Sequence, residues 1–135
     1  MSTSQIFKLA AIVLLVVSRA FSAVASDPPQ SAAYLRAYKA GRADAARDIK
    51  RGILATEEWG LPADFTVSDA YRRILKQRYR ITVRRVAGCD VDETILGHGN
   101  GYNEISAAEF ARRFGPHLLD RVYAQAEKQH TTATR

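Results

Sequence analysis

The chain has one cysteine in 135 residues, Cys89. One thiol cannot close an internal bridge, so a disulfide-stapled secreted scaffold is excluded. Long apolar runs are also lacking. The unbroken run Leu9 to Val17 is about half the roughly 20 residues that a membrane-spanning helix needs. No internal repeat or low-complexity tract is present, and no Cys or His pair stands at zinc-site spacing. Asp90, Asp92, Glu93, His98 and Glu104 offer metal-ligand chemistry. Ile95, however, occupies the place where a calcium loop needs its sharp-turn glycine. No metal site and no cofactor is therefore read from the sequence. Acids are missing from the whole stretch Arg72 to Arg85.

What is present starts with a leader. Lys8 gives a positive start, Leu9 to Val17 an apolar centre, and Ala23-Val24-Ala25 a small-x-small cleavage signal. Residues 1–25 read as a signal peptide and residues 26–30, with Pro28 and Pro29, as a linker. No cysteine near Ala25 indicates a lipid anchor. Loss of Lys8 and Arg19 with the leader lowers the net charge from +6 to +4. The expectation is an exported protein, periplasmic or extracellular, with no membrane span after cleavage. Residues 31–128 form a single domain and residues 129–135 a polar tail.

Hydrophobic periodicity orders the domain. Leu35, Tyr38, Ala45 and Ile49 stripe a first helix from Ser31, and Gly52 is placed to end it. Gly41 inside that stripe costs about 1 kcal/mol relative to alanine, and its lack of a side chain would let another backbone come close. Ile53 to Trp59 reads as a short strand, and Ser68 as the cap of a second helix reaching Tyr79. Ile81 to Ala87 is a β-branched strand whose alternation breaks at Arg84-Arg85, the mark of a bulge or an edge. Asp92 to His98 reads as a third strand running back antiparallel, with Gly97, Gly99 and Gly101 in the reversal that follows. Ser106 and Glu109 form a capping box for a third helix, and Gly115-Pro116 separates it from a fourth. The order α-β-α-β-β-α-α predicts an α+β domain. It would have a small, mainly antiparallel sheet of about three strands, packed by about four helices.

Four constellations bear on chemistry. Asp90-Val91-Asp92-Glu93-Thr94 resembles the first motif of the haloacid-dehalogenase-type phosphatases. That resemblance implies Asp90 as nucleophile and Asp92 as general acid. The motif needs a doubly wound parallel sheet and a second acidic pair, and neither is legible here. Thiol chemistry is the second: Cys89 with His98 or His117 as base and Asn103 or Asp92 as orienter has the right residue types. The bland alternative is a buried, inert thiol, the usual fate of a free cysteine. A basic surface is the third. Arg72, Arg73, Lys76, Arg80, Arg84 and Arg85 form a charged helix and strand segment that favours an anionic partner. Export argues against intracellular nucleic acid as that partner. Fourth, Asn103 after Gly101 suits a cap or Asx-turn.

Gly88-Cys89, Gly101-Tyr102-Asn103 and Phe114-Gly115 together resemble a pattern in small exported bacterial proteins of unassigned function. Trp59-Gly60-Leu61-Pro62 and Leu75 to Ile81 are similar to that group too. The resemblance implies a compact exported domain and no known activity. The sequence thus reads as a non-enzymatic exported binding module. It would meet an anionic envelope component or a protein through Arg72, Arg73, Lys76, Arg80, Arg84 and Arg85. The alternative is a hydrolase or thiol enzyme centred on Cys89, Asp90, Asp92 and His98.

Overall fold

The hydroxyl of Ser31 accepts the Tyr34 N–H at 3.1 Å and starts helix α1, Ala32–Lys50. The computed structural model describes residues 30–133, so the expected signal peptide and residues 26–29 of the linker lie outside it. Gly52, at φ 78°, turns the chain into strand β1, Leu54–Glu58. Asp64 caps helix α2, Phe65–Tyr79, by accepting from Thr66 and Val67 at 2.8 and 3.1 Å. Ser68, the expected cap, lies buried inside that helix. Arg80 takes the left-handed conformation at φ 60° and leads into strand β2, Ile81–Arg85. Asp92 caps helix α3, Glu93–Phe114, through Ile95 N–H at 2.8 Å. Gly115 ends α3, and helix α4 covers Leu118–Ala133, running into the segment read as a tail.

The order is therefore α-β-α-β-α-α, and it corrects the expected antiparallel, three-stranded α+β sheet. Among the described residues there are two strands, they run parallel, and helix predominates. The helix α2 makes the crossover between them, as a parallel pair requires. The expected third strand, Asp92 to His98, is the cap and first turns of α3. Ser106 and Glu109, expected to open a helix, sit in its second half, where Glu109 instead binds Arg112 and Arg113.

Each face of the ribbon carries two helices. Leu54 and Ile81 pair in register and point toward α2 and α4. There they meet Val67, Ile74 and Leu75 of α2, Val122 and Ala126 of α4, and Phe110 near the end of α3. The opposite face sends Ala55 against Ala45 of α1 and Tyr102 of α3, with Ile105 beside them.

Glycine explains why α3 is a helix despite its composition. Contacts between α1 and α3 advance together along both chains: Ser31 with Glu93, Tyr34 with Gly97, Tyr38 with Gly101, Arg42 with Glu104. The two helices thus run in the same direction. Gly41 of α1 faces the His98 carbonyl, and Gly97 and Gly101 face the Tyr34 and Tyr38 carbonyls. A Cβ at any of the three would fall closer than 3.0 Å to those backbone oxygens. Alanines 37 and 45 extend the small-residue row on α1, both buried. Three glycines would each cost an isolated helix about 1 kcal/mol, and the close approach offsets that cost with backbone contact that no larger residue allows. None of the three has positive φ, so the reversal expected around Gly97, Gly99 and Gly101 does not occur.

Candidate functional site

The face between β1 and the α1–α3 pair carries a polar cluster, built from residues four apart on each helix. Asp44 and Asp48 project from α1, and His98 and Tyr102 from α3, so each acid meets one ring. His98 Nε2 lies 3.2 Å from Asp44 Oδ2, and its Nδ1 lies 2.9 Å from Glu57 Oε2. Tyr102 donates to Asp48 at 2.7 Å. Arg84 of β2, in register with Glu57, donates to Asp48 at 2.8 Å and to the Tyr102 oxygen at 3.2 Å.

The charges follow from these contacts. Burial opposes a proton on His98, but hydrogen bonds to Glu57 and Asp44 outweigh it and raise the pKa. The hydrogen bond from Tyr102 leads in lowering the Asp48 carboxyl, with Arg84 adding to it against burial. Burial, then the bond to Asp48, raises the Tyr102 phenol. Both nitrogens of His98 face carboxylates, and that arrangement favours the protonated ring. Glu57, whose side chain is 6% exposed, gains the charge partner that a buried carboxylate requires.

Asn103 completes the cluster on the strand itself. Its Oδ1 accepts from Glu57 N–H at 2.7 Å and from the Thr56 hydroxyl at 2.9 Å, and its Nδ2 donates to Glu57 C=O at 2.7 Å. One side-chain amide thereby stands in for a neighbouring strand along the outer edge of β1. Sequence reading gave Asn103 to a cap or a thiol site, and the structure gives it to neither.

Beside Glu57 and His98 opens a hollow of about 200 Å³, also lined by Val86, Thr94 and Ile95. It lies where β2 gives way to the loop 86–92, the carboxyl side of the parallel pair. Of the expected catalytic residues only His98 lines it. Cys89 is exposed rather than buried. Asp90 is exposed and has no hydrogen bond or ion pair with another described residue. Asp92 uses its carboxylate to cap α3. His117 is on the surface at the start of α4, 3.5 Å from Asp120. Among the described residues no group of three or more His, Cys, Asp and Glu side chains gathers as a ligand set.

The basic residues separate into two groups. Arg72 pairs with Glu58, and Arg85 reaches the same carboxylate at 3.2 Å. Arg84 belongs to the polar cluster. Arg73, Lys76 and Arg80 are exposed, and none forms an ion pair among the described residues. Lys76 reaches a hydroxyl, Thr82 Oγ1, at 2.9 Å. No helix among the described residues is long and apolar enough to cross a membrane.

Sequence reading missed Asp44, Asp48 and Glu57. A signal was available: Asp44 and Asp48 lie three residues beyond Gly41 and Ala45, flanking the small-residue row. Neither a family model, a curated protein nor a solved structure matches this chain, and the site is defined by its own geometry.

Proposed function

We propose that the chain is an exported, non-enzymatic binding module that holds an anionic partner on the outer surface of α2 and the start of β2. The observation that carries this reading is the stripe Arg73, Lys76 and Arg80. All three are exposed and lack an acidic partner among the described residues, whereas Arg72, Arg84 and Arg85 already have one. Like charges repeating along one side of a helix repel, and an anion relieves that repulsion. Export rests on the leader pattern of residues 1–25.

Against the rival enzyme reading, both ring nitrogens of His98 are engaged by Glu57 and Asp44, and the Asp90 and Asp92 pair divides between solvent and a helix cap. The test of the binding reading is retention on immobilised polyglutamate. Wild type should be retained at low salt and released as salt rises. The triple variant R73E/K76E/R80E should keep its far-ultraviolet circular dichroism and lose retention. Equal retention of a folded triple variant would remove the basic stripe as the site. The rival is checked by the rate at which iodoacetamide labels Cys89. A rate like that of an unstructured cysteine peptide is expected, and strong acceleration would restore the thiol reading.

A further inference from the structure

We propose that the outer edge of β2 receives an extended acidic segment of a partner protein as a third strand. The inference rests on the basic-surface reading above and specifies the partner. It starts from the phase of the ladder. Val86 N–H donates to Glu58 C=O at 2.9 Å, and Glu58 is in register with Arg85. In a parallel pair this fixes which residues turn inward. The even-numbered residues of both strands face each other, and the odd-numbered ones turn their N–H and C=O outward. On β1 the outward residue Glu57 has both groups taken by Asn103, as that phase demands. On β2 the outward residues are Ile81, Val83 and Arg85. Ile81 is buried, Val83 is half-buried and Arg85 is exposed, and the outward backbone groups of Val83 and Arg85 bond to no other described residue.

Among the described residues β2 pairs with β1 alone, so no strand lies along its other side. An open edge is a template for another extended chain. Charge selects which chain. Arg80 stands at the head of the edge, and Lys76 reaches the Thr82 hydroxyl beside it. A second copy of this protein would bring the same cations against one another, which like-charge pairing disfavours. A segment alternating acidic and β-branched residues satisfies both the backbone and the cations.

The probe is the peptide Glu-Val-Glu-Val-Glu-Val-Glu, capped at both ends and fluorescently labelled. A second version carries N-methyl groups on alternate amides, which keeps the charge and removes the donors. The inference expects the first peptide to bind and to slow exchange of the Val83 and Arg85 amides at least tenfold. The methylated peptide should bind at least tenfold more weakly. Val83→Pro should mimic methylation; should that variant fail to fold, the peptide pair carries the comparison. Equal binding of both peptides, abolished by R73E/K76E/R80E, would overturn the strand addition and leave the basic surface standing. Failure of both peptides to bind would overturn both. Protection of Val83 and Arg85 without peptide, with concentration-dependent dimerisation, would assign the edge to a second copy and overturn the acidic partner.

Discussion

Replacing Gly101 with alanine ought to stabilise a helix, yet here it should damage the fold. In an isolated helix the change is favourable by about 1 kcal/mol. In this protein the new methyl would press on the Tyr38 carbonyl, with the Tyr38 carbonyl carbon at 2.9 Å and its Cα at 3.1 Å. Those atoms are helix backbone and have no rotamer to escape into, so α1 and α3 must part. Overpacking that side chains can absorb costs about 1–3 kcal/mol. Parting the helices adds to this, because Gly41 on His98 and Gly97 on Tyr34 share the seam. The bonds Asp44–His98 and Asp48–Tyr102 cross it too. A net loss of about 2–4 kcal/mol follows after the helix-propensity gain. At about 4–8 °C per kcal/mol for a domain of this size, Tm should fall by about 10 °C or more. Thermal and urea melts followed by circular dichroism measure it. Gly88→Ala is the control, because its added methyl meets nothing within 4 Å, and it should stay within about 0.5 kcal/mol of wild type. The double variant G41A/G101A should lose less than the sum of its parts, since the first substitution already opens the seam. A Gly101→Ala protein that melts at or above wild type would refute the close approach of α1 and α3.

Three further outcomes follow from the polar cluster. Asn103→Ala strips partners from the Glu57 N–H and C=O and should cost about 2–6 kcal/mol in urea unfolding, at about 1–3 kcal/mol for each buried group left unpaired. A loss below about 0.5 kcal/mol would show that water replaces the amide. His98 has a folded pKa that, against burial, is held above the ordinary 6.5 by hydrogen bonds to Glu57 and Asp44. The stability it contributes is therefore fully present below 6.5 and is lost as the pH rises through the raised value. The Tm gap between wild type and His98→Asn should be widest in mild acid and narrow as the pH rises through the raised value, and a gap independent of pH would remove the charge pairing of His98 with Glu57 and Asp44. Asp48 is the mirror case, with a pKa lowered from 3.8 chiefly by Tyr102. Its contribution is present above 3.8 and lost as the pH falls through the lowered value. Tyr102→Phe should therefore destabilise at neutral pH by about 1–3 kcal/mol, with the deficit shrinking in strong acid.

Local signals in the sequence were legible where one element carried its own evidence. The first helix was legible, with Gly52 just past its end, although its buried row is Ala37, Gly41 and Ala45 and Leu35 of the expected stripe is exposed; β2 starts at Ile81 as its β-branched residues indicate. The break at Arg84-Arg85 reads as an edge, and β2 has an open side. The segment from Asp92 to Asn103 was misread because its evidence lies in a different element. Thr94-Ile95-Leu96 between glycines has the composition of a strand and hinge, and propensity alone favours that reading. The competing fact is that Gly97 and Gly101 are four residues apart, as are Ala37, Gly41 and Ala45 on α1. Two rows of small residues at helical spacing are complementary surfaces, and their contact overrides the poor helix propensity of either. Strand direction failed for the same reason. Once Asp92 to His98 is taken as a returning strand, an antiparallel sheet follows, and the crossover role of α2 disappears from view.

The same seam decides how the chemistry should be read. Cys89, Asp90, Asp92 and His98 are close in sequence and looked like one constellation, but the fold gives them separate tasks. Asp92 starts α3, and that start sets the rotation that sends His98 toward Asp44 and Glu57. His98 then balances the buried charge on Glu57, while Arg84 and Tyr102 balance Asp48 one turn farther along. A site built for acid–base catalysis needs a titrating group with one free valence toward a substrate. Here the ring nitrogens, the Tyr102 hydroxyl and the Asn103 amide are each engaged by a protein partner. Among the described residues the cations without an acidic partner include Arg73, Lys76 and Arg80 on the outer face of α2, which is why the binding reading proposed above is placed there.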